Sequence, residues 1–137
     1  MVKTAEELMD EPDFIDSETS IMEVTEEFRG TENTLIVRRD GEVVGEIHEN
    51  TLLKALIPEE RLDEESVVGV LGLSFDESFV PEKAEHVMNE HEVNVPPDEE
   101  LGEIAFVMYE EDIRSVPVEE DGEIKGVVHE KTLIEEI

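Results

Sequence analysis

The sequence predicts an α/β protein, more strictly α+β, made of two tandem β-α-β-β-α units packed about an approximate two-fold axis. Three observations predict it. "DGEVVGEIHENTLLKAL" at 40–56 returns as "DGEIKGVVHEKTLIEEI" at 121–137, with Asp, Gly, Glu, Gly, His, Glu, Thr and Leu in identical places. "AEELM" at 5–9 returns as "AEHVM" at 84–88. Between these anchors, helical and strand-like apolar spacings follow in the same order in both copies. Two copies with a period near 80 residues do not make a solenoid, which stacks shorter units in longer arrays. The first repeat spans 1–60, a connector 61–82 and the second repeat 83–137.

Each copy opens with a short helix carrying Leu8 and Met9, or Val87 and Met88. A short extended piece follows, "DFID" in copy one and "VNV" in copy two. An amphipathic helix comes next. Ile21, Val24 and Phe28 fall at i, i+3 and i+7; Leu101, Ile104, Ala105 and Met108 fall at i, i+3, i+4 and i+7. Both sets lay an apolar stripe along one helix face. Ser17 or Thr19, and Asp98, are the candidate N-caps. A strand then reads "TLIV" at 34–37 or "SVPV" at 115–118, followed by Asp40-Gly41 or Asp121-Gly122. Asp-Gly between apolar runs signals a hairpin, because Gly tolerates positive φ. Pro117 argues against a fully paired place in its strand. The returning strands are "EVVGEI" and "EIKGVV", and the closing helices "ENTLLKAL" and "EKTLIEEI". The helix between the first two strands lets them pair in parallel; the next two form an antiparallel hairpin. One such three-stranded unit buries too little by itself, and two packed together bury enough.

Composition bounds the function classes. The net charge is −30, from 40 acidic and 10 basic residues. Leu, Ile, Val and Phe make up 42 of the 137 residues, above the roughly 20% below which so charged a chain stays unfolded. A folded protein in an acidic shell is the better reading. Such a shell repels itself at ordinary salt, and the repulsion fades at molar salt, where the Debye length is about 3 Å. The expectation is a halophilic, cytoplasmic protein, with an acidic patch for a basic partner as the rival. Nucleic acid is not an expected partner, since phosphate binding needs clustered Lys and Arg. No apolar run is long enough to span a bilayer, and with no cysteine there is no thiolate chemistry. No nucleophile–base pair, phosphate-cradling Gly loop or closed metal-ligand spacing is present, so an enzyme is not expected.

At this point the order of elements resembles that of a CBS domain pair, or Bateman module, of a stand-alone archaeal type. The family pattern is a helix ending in Met, an extended "V-x-V-x-P-D" stretch, a helix, "x-x-P-V-V-D-x-x-G" and "h-h-G-h-h-T-x-x-D-h-h", where h is apolar. Copy two follows it as "VMNEHEVNVPPDEELGEIAFVMYEEDIRSVPVEEDGEIKGVVHEKTLI". Copy one follows it with more drift, as "LMDEPDFIDSETSIMEVTEEFRGTENTLIVRRDGEVVGEIHENTLL". The resemblance implies a non-catalytic regulatory module with no required cofactor. It implies an adenosine-containing ligand (AMP, ADP, ATP or S-adenosylmethionine) in the inter-repeat clefts, a homodimer, and an unidentified regulated protein as partner.

Carried over by position, the cleft of copy one holds Phe14, Thr34, Leu35, Ile36, His48 and Thr51. That of copy two holds Val93, Arg114, Ser115, Val116, Pro117, His129 and Thr132. Apolar side chains and strand backbone there can sandwich and hydrogen-bond a base. Gly45 and Gly126 permit close backbone approach. Both copies depart from the pattern in the same way. His48 and His129 stand where the family often has Thr or Ser, and Thr51 and Thr132 where it often has a ribose-binding Asp. A Thr hydroxyl is a weaker acceptor for ribose than a carboxylate. The histidines have three readings: they contact phosphate or stack on a base, they cap or pack the strand–helix junction, or His48 and His129 bind metal. Arg114 is a candidate for phosphate or a neutraliser of Glu110, Glu111 or Asp112. Arg38 and Arg39 read as surface residues, and His86 and His91, which have no counterparts in copy one, as structural or exposed. The alternative to the ligand reading is a ligand-free dimerisation or interaction module.

Overall fold

The computed structural model describes residues 2–30, 34–57 and 81–137; most of the connector lies outside them. The first repeat contains α1 (Ala5–Leu8), β1 (Phe14–Asp16), α2 (Ile21–Arg29), β2 (Leu35–Arg39), β3 (Glu42–Ile47) and α3 (Glu49–Leu52), which runs into a 3₁₀ turn (Leu53–Leu56). The second contains α4 (Ala84–Val87), β4 (Asn89–Glu90), α5 (Leu101–Glu111), β5 (Ser115–Glu120), β6 (Glu123–His129) and α6 (Glu130–Ile134). The fold class is the α/β arrangement of two tandem units expected from the sequence.

The strand pairing follows the local chemistry. β1 and β2 pair in parallel through the α2 crossover, with Phe14 opposite Ile36. β2–β3 and β5–β6 are antiparallel hairpins. At their tips Asp40 (φ 51°) and Gly41 (φ 81°), and Asp121 (φ 53°) and Gly122 (φ 81°), both take positive φ. Two successive positive-φ residues make the type I′ turn, whose twist matches that of the flanking strands.

The sheets differ at both edges, β1-β2-β3-β4 against β5-β6 with a single bridge on either side, and Pro117 accounts for one of them. In the first repeat the Ile36 N–H donates to Asp13 O at 2.8 Å, helping β1 form as a strand. The corresponding position in the second repeat is Pro117, which has no N–H to give. There the "VNV" stretch, expected to be extended, makes only a single parallel bridge, Val95 to Val118. The proline is nonetheless buried within β5, opposite Val127. Its own carbonyl accepts from Val95 N at 3.0 Å, so its missing donor faces that short edge and spares the β5–β6 hairpin.

The leading segments are exchanged between the repeats. Ala5 and Leu8 of α1 lie in the second repeat's core, with Val95, Ile104, Met108, Val116, Val118 and Val128. Ala84 and Val87 of α4 lie in the first repeat's core, with Ile15, Val24, Leu35, Val37 and Ile47. Backbone bonds follow suit. Ala5 N donates to Glu99 O (2.8 Å), and Ala84 N to Thr19 O (2.8 Å). Asp10 bridges Val127, and β4 pairs with β3 at Gly45 and Glu46. Gly45 and Gly126 are small for this crossing. A Cβ on Gly45 would lie 2.7 Å from Asn89 O and 2.9 Å from the Met88 sulfur; one on Gly126 would lie 2.7 Å from the Met9 sulfur.

Three local expectations are corrected. The N-cap of α2 is Ser20, whose Oγ accepts from Glu23 N at 3.3 Å, rather than Ser17 or Thr19. α5 begins after Glu100, not Asp98. Ala105 is exposed, while Ile104 and Met108 fill the core, so the buried stripe is narrower than its spacing implied.

Candidate functional site

Alternation along the strands decides what meets between the repeats. Leu35, Val37 and Ile47 point into the first repeat's helix-covered core. Residues between them therefore point to the other face of the sheet: Thr34, Ile36, Glu46 and, two residues on, His48. Ser115, Pro117, Val127 and His129 alternate in the same way against Val116, Val118 and Val128. Thr34, Ile36, Glu46, His48, Ser115, Pro117, Val127 and His129 are all buried.

At the centre is a residue the sequence reading passed over. Glu46 is completely buried. A charge taken out of water is tolerated only when it is richly hydrogen-bonded, and this one is. Its carboxylate accepts from Ser115 Oγ (2.6 Å), from Arg114 N (2.9 and 3.2 Å) and from Asn89 Nδ2 (3.3 Å). Asn89 also donates to Asp112 O (3.2 Å), tying β4 to the end of α5. His48 Nε2 and His91 Nε2 each lie 3.5 Å from one of the carboxylate oxygens. Burial pushes the Glu46 carboxyl up, but His91, the Ser115 hydroxyl and the Arg114 N–H pull harder, and the net displacement is downward. Glu46 is ionised at neutral pH.

The histidines have distinct surroundings. His91 Nδ1 accepts from Val93 N at 3.2 Å, so the neutral ring carries its proton on Nε2, toward Glu46. His48 is the residue before α3, in extended conformation. Burial lowers its pKa, against the pull of Glu46. His129 precedes α6, and its Nδ1 lies 3.2 Å from Thr34 Oγ1 across the repeat boundary. Burial lowers its pKa too, against Asp10, Asp13 and Glu46. Among the described residues no group of three His, Asp or Glu side chains is arranged to hold a metal ion. The lone pair that His91 would offer from Nδ1 is already taken by Val93.

The remaining candidates are distributed as follows. Thr51 Oγ1 accepts from His48 N and donates to His48 O, both at 3.0 Å, which turns it toward its own helix start. Thr132 holds the equivalent third position of α6 and is half-buried. Phe14 is half-buried beneath the Arg38 guanidinium, 3.8 Å from ring centroid to Cζ. Leu35 and Val116 face the cores rather than the boundary. Val93 and Pro117 line an open cleft of ≈ 330 Å³ between the two hairpins, in company with Glu42, Glu92 and Glu119. The Arg114 guanidinium lies 3.9 Å from Glu130, not against Glu110, Glu111 or Asp112. Arg39 pairs with Glu85 at 2.7 Å. His86 Nδ1 accepts from Glu82 N and Lys83 N at 3.0 Å, a structural role. Polar groups assigned by sequence to separate clefts thus meet across the repeats: Thr34 faces His129, and Ser115 and His48 both approach Glu46.

The CBS domain family model matches residues 5–58 and 84–137. No curated protein gives a significant match. Solved structures do. The CBS domain pair of protein MJ0100, in complex with 5′-methylthioadenosine and S-adenosyl-L-methionine, is 18% identical with a TM-score of 0.69, covering 98% of this chain and 95% of its own. A CBS-domain containing protein from Agrobacterium tumefaciens is 20% identical with a TM-score of 0.70, covering 98% and 93%. CBSX2, in complex with AMP, is 17% identical with a TM-score of 0.67, covering 98% and 95%. Among the described residues no helix is long and apolar enough to cross a membrane.

Proposed function

We propose that this chain, which belongs to the CBS domain family, is a non-catalytic regulatory module. It binds an adenosine-containing ligand between its repeats and passes the bound state to a partner protein. The observation that carries this reading is the seam itself. Residues from both repeats close on one another there, so a ligand lodged in it bears on both halves at once. Two structurally similar proteins hold adenosine compounds, S-adenosylmethionine with 5′-methylthioadenosine in one and AMP in the other. The cleft beside Val93 and Pro117 refines the class. It is lined by three glutamates and no Lys or Arg, so like-charge repulsion acts against a triphosphate and favours a cationic or uncharged adenosine derivative. We further read the acidic surface as adaptation to a salty cytoplasm, and the pair as a homodimer.

Isothermal titration in molar KCl tests the ligand reading. Heat is expected with S-adenosylmethionine, and less with AMP, ADP and ATP in that order. Neither heat nor a thermal shift with any of the four overturns it. One observation favours a second reading, a ligand-free interaction module: the polar groups that would greet a ligand are already engaged. Thr51 caps its helix, Ser115 and Arg114 N–H serve Glu46, and Thr34 faces His129. A nucleoside copurifying with the folded protein would exclude that second reading.

A further inference from the structure

The groups around Glu46 form a set with one property in common: they donate. Arg114 N–H and Ser115 Oγ come from the start of β5, the Asn89 amide from β4, and His91 Nε2–H from the segment after it. None of these four belongs to the strand that carries Glu46; His48, whose Nε2 is also 3.5 Å from the carboxylate, directly follows that strand. The His91 side chain is 6% exposed, and its Nε2 makes no hydrogen bond while facing the carboxylate at 3.5 Å. Donors sheltered from water and converging from two separate segments, residues 89–91 and 114–115, on a single point are the requirement for holding an oxyanion.

The equivalent place in the other repeat shows that the fold does not demand such a set. The residue 81 positions after Glu46 is Val127, fully buried. Beside it Thr34, the counterpart of Ser115, turns to His129 instead. Pro12 stands where the His91 ring would be, by the offset of the leading segments. The carboxylate, the amide and the imidazole are replaced together, by Val127, Asp10 and Pro12, while the hydroxyl of Ser115 is kept as that of Thr34.

We propose that Arg114 N–H, Ser115, Asn89 and His91 form an oxyanion site, for a carboxylate or phosphate group, that is held closed by the chain's own Glu46. An external anion gains these donors only by displacing Glu46. The residue is therefore an internal competitor, and its displacement frees the second repeat's β5 from the first repeat's β3. This does not rest on the identity of any nucleoside ligand.

Rescue by small anions tests it. The variant Glu46→Ala empties the site while leaving its donors in place. Its melting temperature in molar KCl is expected about 5–10 °C below that of the native chain, by the usual size scaling. Replacing part of the chloride with formate, or adding inorganic phosphate, is expected to restore at least half of that loss in a saturable way. The native chain and Glu46→Val, whose side chain fills the space, are expected not to respond. Rescue by formate alone assigns the carboxylate class, and rescue by phosphate the phosphate class. An Ala variant that responds no more than the native chain overturns the proposal. If Glu46→Ala refolds in neither anion, Glu46→Val decides: a melting temperature at or above the native value shows that the donors do not need an anion, and overturns the proposal, whereas a lower one upholds it.

Discussion

The two halves of the repeat seam answer the same packing problem with opposite chemistry. Around Val127, among the described residues, the buried seam is apolar but for the pair Thr34 and His129. Around Glu46 it is an ion surrounded by donors that reach in from the other repeat. An apolar contact is tolerant, since any well-shaped side chain of similar volume will serve. A buried carboxylate is exacting, because each partner removed leaves an uncompensated charge. The difference teaches that near-symmetry of the backbone does not carry over to its interior. Of two equivalent positions, one holds the halves together by shape and the other by charge.

Making the two sides alike should break the protein most severely. Val127→Glu places a second carboxylate where Thr34 already faces His129. A loss of about 3–5 kcal/mol is expected, the range for an unpaired buried charge. Denaturant unfolding in molar KCl measures it, and a loss below about 1 kcal/mol would mean that the donors around Glu46 are not what makes its burial tolerable.

The glycines test the same asymmetry through sterics. Gly45→Ala drives a methyl group to within 2.7 Å of a backbone oxygen, Asn89 O, while Gly126→Ala meets the flexible Met9 side chain at 2.7 Å and a backbone oxygen, Asp10 O, only at 3.0 Å. Backbone cannot step aside as a thioether can. Costs of about 3 kcal/mol for Gly45→Ala and about 1 kcal/mol for Gly126→Ala are expected, within the usual overpacking range. Equal costs would show that Met9 is as fixed as the strand.

Acid gives the smallest and most graded effect. His48 and His129 both have folded-state pKa values below the ordinary one, chiefly through burial. The unfolded chain then binds the more protons below its own histidine pKa, near 6.5. Stability is full above that pH and falls as pH drops through it. Glu46, also lowered, adds a loss at still lower pH, as pH falls through its own folded value. Melting temperatures between pH 7.5 and 5 at fixed KCl should decline, and His129→Gln should flatten the decline. An unchanged slope in that variant would remove His129 from the account.

Much of the fold was legible because its signals are local. The Asp-Gly turns, the parallel β1–β2 pair and the closing helices each follow from a few adjacent residues. Pro117 was legible as a disturbance, but its effect fell on the neighbouring edge rather than on β5 itself. The exchange of leading segments was hidden, since "AEELM" and "AEHVM" show which helix repeats but not which sheet each one closes. Glu46 was hidden for another reason. In a chain with 40 acidic residues, a glutamate in a strand reads as solvent-facing. A usable signal was the comparison of copies. "GVV" in the second copy is apolar without interruption, as expected of a strand covered on both faces, so "GEI" in the first had to bury its glutamate. His91 followed from nothing in its own neighbourhood, because its role depends on a carboxylate 45 residues away.

The exchanged leading segments also set the unit of inheritance. A chain cut down to one repeat would carry a helix with no core to enter and a core with no helix to fill it. Two such half-length chains could trade these segments exactly as the two halves of this one do, and neither would be stable alone. Joining the two repeats in one chain therefore needs no new packing. It turns an exchange between molecules into one within a molecule, at the concentration set by a tether.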